Sequence, residues 1–272
     1  MQPARTDQRE RLRRFQRSLV QLEPQFLPLL ASVLLTVILL PITVLPLPGS
    51  RWLLPLLMTL LVMQSLRALP PRGVLRGGAW LAKLHAGVGR AAVALTWLLA
   101  FSGFQQGFRS LRFPVLLLSG IFALLATVRL VGMLARVPRV NPQVMAGAAA
   151  GYVYLGVTGG LIASALQVVV PGTFQLGSVD AAELLVDRLT YFSFVTLAGL
   201  GLGDVVPLNP LGERFVILLS LSGTLYLALL MGLLIGRFIA TQALELEFDA
   251  LADEVEDPES PIRRRLAEEI ED

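Results

Sequence analysis

Three glycines alternate with two leucines directly before an aspartate in the stretch from Tyr191 to Pro207. Gly199, Gly201 and Gly203 can each adopt a positive φ without steric penalty, which lets successive peptide oxygens face one side of an extended segment. Rings of such oxygens can replace the water shell of a dehydrated cation. The carboxylate of Asp204, next to the last glycine, can attract cations. These residue types therefore predict cation coordination by the backbone.

Overall composition indicates that lipid is the solvent for most of the chain. Of 272 residues, 54% are hydrophobic and only 16% are charged, against about 25% charged residues in a soluble domain. The mean hydropathy is +0.67. Basic residues lie between apolar runs and form no patch, so no nucleic-acid partner is expected. Cysteine is absent, which excludes disulfides and thiolate metal sites. No cofactor and no enzymatic activity are expected.

Six apolar segments reach the length that a transmembrane helix needs. We expect them at about Phe26–Leu47, Trp52–Leu69, Ala91–Phe108, Phe113–Ala135, Gln143–Val170 and Leu211–Thr241. A basic linker containing Lys83, Arg90 and the only histidine, His85, precedes the third segment, and His85 is expected to be a solvated linker residue.

Loop charges set the orientation of these segments. Residues 1–25 contain six arginines, and further basic residues follow the second and fourth segments. By the positive-inside rule, both termini lie in the cytoplasm, and the segment from Pro171 to Pro210 enters from outside. The chain is therefore expected to be a multi-pass protein of the plasma membrane, in a bacterium the inner membrane, with lipid as a partner.

The stretch between the last two spans does not suit a seventh span, because it is polar at its start and glycine-rich at its end. Irregular backbone is tolerated at membrane depth only where it is buried in protein or lines water. A short helix from about Ala181 to Leu197, followed by a glycine-alternating strand, predicts a re-entrant pore loop.

This stretch resembles the signature of the potassium-channel superfamily, in which an aromatic pair and a Thr precede Thr-Val-Gly-Tyr-Gly-Asp. Without a gap, Tyr191 and Phe192 match the aromatic pair and Thr196 matches the pore-helix Thr. Gly201, Gly203 and Asp204 match the signature, and Pro207 matches a Pro that often follows. The resemblance covers about residues 141–240, and the order of spans resembles the voltage-gated-like branch.

The resemblance implies an all-α membrane protein of six transmembrane helices with a re-entrant pore helix and filter between the fifth and sixth. It also implies a homotetramer, so that the partners are three further copies of the chain. Potassium is the expected permeant ion, bound by backbone carbonyls of Gly199, Leu200, Gly201 and Leu202. Tyr191, Phe192 and Thr196 would support the filter, and Gly223 would be a gating hinge. Gly232 is a second hinge candidate because glycine weakens a helix, with close packing against the fifth helix as the alternative.

Two positions depart from the signature in ways that affect the filter, and Leu200 in place of Val is a third, mild change. Gly199 replaces the Thr that supplies a hydroxyl ring, and Leu202 replaces the aromatic residue that ties the filter to the pore helix. A hydrogen bond contributes about 1 kcal/mol, so the loss of this tie from each chain predicts a looser filter. We therefore expect weaker discrimination against sodium.

The chain divides into four parts: a cytosolic basic N-terminus (1–25), a peripheral four-helix domain (26–140), a pore domain (141–241) and an acidic cytosolic tail (242–272). The peripheral domain resembles a voltage sensor but is poor in charge. Its fourth segment carries Arg129 alone within the apolar run, and no acidic residue lies between Glu23 and Asp180, so strong voltage gating is not expected. Arg129 is expected to cap a helix or to snorkel.

Small residues line one face of the fifth segment, and hydrophobic residues form one stripe in the tail. Gly147, Gly151, Gly156 and Gly160 form two GxxxG pairs, which predict close packing against the sixth helix. The tail positions Leu244, Phe248, Leu251 and Val255 follow a 4-3-4 spacing that suits a short parallel bundle or an amphipathic helix.

Other functions remain open. A channel that does not discriminate sodium from potassium is the nearest alternative, and a non-conducting structural or regulatory membrane subunit is another. Gly201-Leu-Gly-Asp204 also matches the motif of intramembrane aspartyl proteases, whose chemistry needs a second carboxylate that shares a proton. Asp180 and Asp187 lie in the same re-entrant segment as Asp204, which makes them poor partners.

Overall fold

The computed structural model describes residues 26–44, 50–69, 79–101, 109–135, 141–176 and 185–240, with 242, 243 and 246 of the tail. The predicted basic N-terminus, Asp180 and Ala181, and the tail stripe of Leu244, Phe248, Leu251 and Val255 lie outside the described residues.

Helices account for nearly all of the described chain. They are α1 (Phe26–Leu39), a 3₁₀ turn (Pro41–Val44), α2 (Ser50–Ala68), α3 (Ala79–Phe101), α4 (Arg109–Leu134), α5 (Pro142–Val169), α6 (Leu185–Leu197) and α7 (Pro210–Leu225). A π-helix (Tyr226–Met231) continues α7, and helical structure runs on to Ala240. Two short strands, β1 (Phe174–Gln175) and β2 (Val206–Pro207), pair antiparallel and are an addition to the expected all-α fold.

Four of these helical runs are long and apolar enough to cross a membrane. Among the described residues they are Trp80–Phe101, Phe113–Leu134, Pro142–Val169 and Pro210–Ala240. The helices Phe26–Leu39 and Trp52–Ala68 are apolar but shorter. The fold is therefore that of a mostly helical membrane protein, and the count of six spans stays a prediction.

Two long helices begin with the same local signal. Asn141 precedes α5 and Asn209 precedes α7, and each is followed by a proline. The Asn141 side chain accepts from the Val144 N–H at 2.9 Å, and the Asn209 side chain accepts from the Gly212 N–H at 2.9 Å. Asparagine satisfies a free N–H at a helix start, and proline suits the first helical position because its missing N–H is not needed there.

Helix α5 lies at the centre of the described fold. The helices α1 and α4 pack against one side of it and α6 packs against another. The main core includes Phe26, Phe122, Leu134 and Tyr154, which come from α1, α4 and α5 and are fully buried. A smaller core, with Phe174, Phe192 and Val205 among its members, lies beneath the segment that joins α6 to α7.

The two glycine pairs of α5 lie on opposite sides of the helix, which corrects the prediction of one face packed against the sixth helix. In the first pair, Gly147 faces Phe26 of α1, and Gly151 faces the Tyr226 hydroxyl of the sixth helix. In the second pair, Gly156 and Gly160 face Phe194 and Thr190 of α6. The first pair therefore contacts α1 and the sixth helix, and the second pair brings α6 close to α5.

The prediction for the basic linker was wrong, because α3 begins at Ala79 and includes Lys83, His85 and Arg90. His85 is 0% exposed; its Nε2 lies 3.2 Å from the Ser65 Oγ, and its ring stacks on Phe122. Buried positions in α3 recur at helical spacing and are Ala82, His85, Gly89, Ala92 and Thr96. The basic residues lie on the opposite, exposed face. They lower the local hydropathy, so a hydropathy average does not reveal this helix.

Arg129 of α4 reaches the end of another helix. Its Nη2 donates to the carbonyl of Leu69, directly after α2, at 2.9 Å. A cation is favourable at a helix C-terminus, where carbonyls lack helical partners. The side chain therefore caps α2, one of the two roles expected for it.

Candidate functional site

Helix α6 is the element that positions the glycine-rich stretch. It begins at Leu185 among the described residues and ends at Leu197, the predicted end. Its buried face includes Phe192 and Thr196, two of the three predicted support residues, whereas Tyr191 is partly exposed. The Ser193 hydroxyl donates to the Gly156 carbonyl at 2.7 Å, which joins α6 to the second glycine pair of α5.

The C-terminal end of α6 is closed by two backbone hydrogen bonds. The Gly199 N–H donates to the Thr196 carbonyl at 3.1 Å, and the Leu200 N–H donates to the Val195 carbonyl at 3.0 Å. Gly199 has φ +72. This pair of bonds, with a left-handed residue between helix and strand, is a Schellman ending, which satisfies carbonyls that the helix leaves free.

Beyond this ending, the sign of φ alternates. Gly199, Gly201 and Gly203 have φ values of +72, +53 and +76. No described residue other than glycine has a positive φ, so Leu200 and Leu202 have negative values. The side chains of these two leucines are 63% and 61% exposed. The backbone therefore has the alternation that the glycine spacing predicted, and cation binding by it stays a prediction.

Asp204 is held by a side chain of α6. The Arg188 Nη2 lies 3.6 Å from the Asp204 Oδ2, and the guanidinium lies 5.6 Å from the centroid of the Tyr191 ring. Desolvation raises the pKa of the Tyr191 hydroxyl, the Asp204 carboxylate raises it further, and Arg188 lowers it. The far end of the loop is therefore tied to α6 by the ion pair of Arg188 with Asp204.

Sequence reasoning missed Arg188, which pairs with Asp204 in the structure. Arg188 lies one helical turn before Tyr191, and residues at this spacing share a helix face. That spacing was the available signal.

The chain after Asp204 is anchored to the end of α5. The Leu208 N–H donates to the Thr173 carbonyl at 2.8 Å, and the Asn209 Nδ2 donates to the Thr173 Oγ1 at 3.3 Å. Strand β2 pairs with β1, and Val205 is buried. The glycine-rich loop is therefore held at both ends by α5, α6 and their connections.

The predicted hinge Gly223 lies at a close helix crossing. A Cβ at this position would lie 2.5 Å from the Leu197 carbonyl oxygen, at the end of α6. The Tyr152 hydroxyl of α5 donates to the same oxygen at 3.3 Å. By contrast, a Cβ at the other predicted hinge, Gly232, would meet nothing within 4 Å. Gly223 thus has a packing role, and bending at either glycine stays a prediction.

The candidate ligands for a cation remain the peptide oxygens of residues 199–202. Within the described ranges, no three His, Cys, Asp or Glu side chains are placed to share a metal ion. The Asp204 carboxylate pairs with a guanidinium, whereas acid–base chemistry of the aspartyl protease type requires a second carboxylate beside it.

Comparison with known proteins matches the part of the chain that contains this loop. A family model described as an ion channel matches residues 184–240, which include α6, the glycine-rich loop and α7. No curated protein and no solved structure matches the chain. The match supports an ion-channel family for this region and a channel rather than an enzyme, in agreement with the membrane-length helices.

Proposed function

We propose that the protein is a tetrameric cation channel that conducts potassium with weakened discrimination against sodium. The observation that carries the proposal is the alternating sign of φ from Gly199 to Gly203 in a loop between two helices. Alternating backbone hands let successive carbonyls face one side, and rings of carbonyls can replace the hydration shell of a cation. The ligands are the peptide oxygens of residues 199–202.

One such loop per chain cannot surround an ion, so the proposal requires four copies around a common axis. Exposed apolar side chains on the loop and on α7 support this requirement. Leu200 and Leu202 on the loop, Leu218 and Leu221 on α7, and Leu229 on the π-helix are each more than half exposed. Contacts with neighbouring copies and with lipid would cover them.

The selectivity proposed here follows from the two departures from the signature. Gly199 supplies no hydroxyl, and Leu202 supplies no donor to the helix behind it. The hydrogen bond at Leu200 and the ion pair at Asp204 support the strand at its two ends but not at its middle. Oxygen rings that can shift with the ion discriminate less sharply by size, and a non-selective cation channel is the limiting case.

The remaining parts of the proposal concern the surroundings of the pore. We place the chain in the plasma membrane, a bacterial inner membrane, with both termini in the cytoplasm and α1 to α4 as a peripheral scaffold. The predicted first and second spans correspond to α1 and α2, which are apolar but short. The carboxylate of Asp204 would lie at the outer mouth.

Flux through the purified protein in liposomes tests this function. In vesicles with opposed potassium and sodium gradients, the membrane potential should move toward the potassium equilibrium potential without reaching it. A potential that follows potassium fully would contradict the weakened selectivity. Absence of flux would favour a non-conducting subunit.

Gly201→Ala provides a variant directed at the strand. A Cβ at Gly201 meets nothing within 4 Å, so only the backbone conformation, at φ +53, is penalised. An L-residue pays about 1–2 kcal/mol in the left-handed region. Flux should therefore fall strongly. Gly132→Ala, also without neighbours within 4 Å but in a helix, is the matched control and should conduct normally.

A further inference from the structure

We propose that Gly199 is a positioning residue, which sets the inner end of the conducting strand and prevents a hydroxyl-bearing residue from serving there. This inference rests on the proposed function and concerns the same strand. Gly199 stands where the resembling signature has Thr, so the substitution looks from sequence like the simple loss of a hydroxyl. The structure instead assigns Gly199 a role of its own, which is to set the backbone conformation at the start of the strand.

The role follows from the way in which α6 ends. At φ +72, Gly199 turns the chain so that the Leu200 N–H meets the Val195 carbonyl at 3.0 Å. The first strand residue is thereby bonded to the last turn of the helix. A right-handed residue at position 199 would direct the Leu200 N–H elsewhere and shift the start of the strand.

Backbone conformation, and not lack of space, makes glycine necessary at this position. A Cβ at Gly199 would meet nothing within 4 Å. A β-branched residue is nevertheless a rare outlier at positive φ, because its side chain crowds its own backbone. Threonine at position 199 therefore cannot restore a hydroxyl ring while the Schellman ending is kept.

The end of α6 cannot easily adapt to such a change. The Leu197 carbonyl accepts from the Tyr152 hydroxyl of α5 and abuts Gly223 of α7. Two neighbouring helices thus hold the turn from which the strand departs. A change of φ at Gly199 from positive to negative must therefore displace the strand and its carbonyl oxygens.

A comparison of L-alanine with D-alanine at position 199 tests the role of Gly199. Protein semisynthesis gives the full chain with Gly199→Ala or with D-alanine at the same position, and Gly199→Thr is made by mutagenesis. D-alanine adds the same methyl group but favours positive φ. We expect flux within about twofold of wild type for D-alanine and at least about tenfold lower for L-alanine and threonine. Gly132→Ala, in α4 and also without neighbours within 4 Å, is the control and should leave flux unchanged.

The outcomes separate this inference from the proposed function. Equal flux for the L- and D-alanine proteins, or sharper potassium selectivity for Gly199→Thr, would overturn the role of Gly199. A wild-type protein without flux would refute the proposed function. The thermal stabilities of the same proteins would still test Gly199, because equal melting temperatures for the L- and D-alanine forms would refute the left-handed ending.

A second observation concerns the π-helix Tyr226–Met231, which lies between two contacts of the inner helix with other helices. At its first residue, the Tyr226 hydroxyl donates to the Ala148 carbonyl of α5, and the Tyr226 side chain lies against Gly151. Below it, the Arg237 Nη1 donates to the Ala135 carbonyl at 3.1 Å, directly after α4. The upper part of the helix is thus joined to α5 and the lower part to the end of α4.

We infer that this π-helix is the hinge of the inner helix and that Arg237 latches the lower part to α4. A π-helix interrupts the regular hydrogen-bond ladder, and helices bend at such interruptions. Gly223 lies above the upper contact and is closely packed, whereas Gly232 and Gly236 lie below the π-helix and have open space around them. Movement of α4 would therefore displace the helix below residue 231 and leave the part above Tyr226 in place.

Single-channel recording of Arg237→Gln tests the latch. Loss of the guanidinium should change the open probability at least about threefold and leave the permeability ratio unchanged, because the strand is not touched. Arg90→Gln, which removes an exposed arginine of α3, is the control. An open probability equal to that of the control would overturn the inference.

A distance measurement tests the Arg237 latch independently of ion conduction. Spin labels on α4 and near residue 240 should give a broader distance distribution in Arg237→Gln than in the parent protein. An unchanged distribution would refute the latch even in a protein that does not conduct. Absence of current together with a broadened distribution would refute the proposed function alone.

Discussion

The contact between Gly160 of α5 and Thr190 of α6 can be tested by a single methyl group. A Cβ at Gly160 would lie 2.5 Å from the Thr190 Cα and would also clash with its Oγ1. Carbon atoms pack favourably at about 3.5–4.0 Å. Rotation of the threonine side chain cannot relieve the contact with Cα, so α6 must move away from α5 by about 1 Å.

The expected cost of Gly160→Ala combines three effects. Overpacking of a well-packed core costs about 1–3 kcal/mol. Separation of the helices also weakens the hydrogen bond from Ser193 to Gly156, worth about 1 kcal/mol. Replacing a helical glycine by alanine returns about 1 kcal/mol through backbone entropy. We therefore expect a net loss of about 2 kcal/mol in the free energy of unfolding.

Thermal unfolding of the purified protein in detergent measures this loss, with flux in liposomes as a second readout. Gly132→Ala is the matched control, since its Cβ meets nothing within 4 Å, and it should raise stability by up to about 1 kcal/mol. Gly160→Ala should melt at a lower temperature than the parent and conduct less, because α6 carries the strand. If Gly160→Ala melted at or above the temperature of Gly132→Ala, the close packing of α5 and α6 would be refuted.

Three further substitutions test the anchors around the loop and the scaffold. Asn209→Ala removes the cap of α7 and should lower the free energy of unfolding by about 1 kcal/mol; Asn209→Asp keeps the acceptor, so an equal loss of melting temperature would contradict this role. Arg188→Gln should weaken potassium selectivity with less than about 1 kcal/mol lost in stability, and reversal potentials that add independently with those of Asp204→Asn would argue against the pair. His85→Ala should cost about 2–3 kcal/mol, because it empties a buried site; the exposed neighbour change Lys83→Ala should be nearly neutral, and equal melting temperatures would disprove the burial.

The fold was predictable where a segment's own residues decide its structure. The end of α6 at Leu197 and the positive φ of Gly199, Gly201 and Gly203 follow from glycine, which alone among the residues adopts that conformation freely. The start of α3 was not predictable from hydropathy, because Lys83 and Arg90 lower the local average. The buried stripe that contains His85 becomes evident only at helical spacing.

Contacts between distant segments could not be predicted in the same way. The glycines of α5 indicated close packing but not its partner, because small residues fit any neighbour, and the structure assigns most of them to α6 and α1. The ion pair of Arg188 with Asp204 depends on how far the loop folds back along α6.

By itself, the sequence determined a membrane-embedded, mostly helical chain with a glycine-alternating loop before its last helix. These properties depend on hydropathy and on the conformational freedom of single residues, which are local. Only the tertiary structure decided which side chains hold that loop, where the inner helix is interrupted by a π-helix and which helix Arg237 reaches. Those outcomes depend on the packing of several helices at once, and no segment specifies such packing alone.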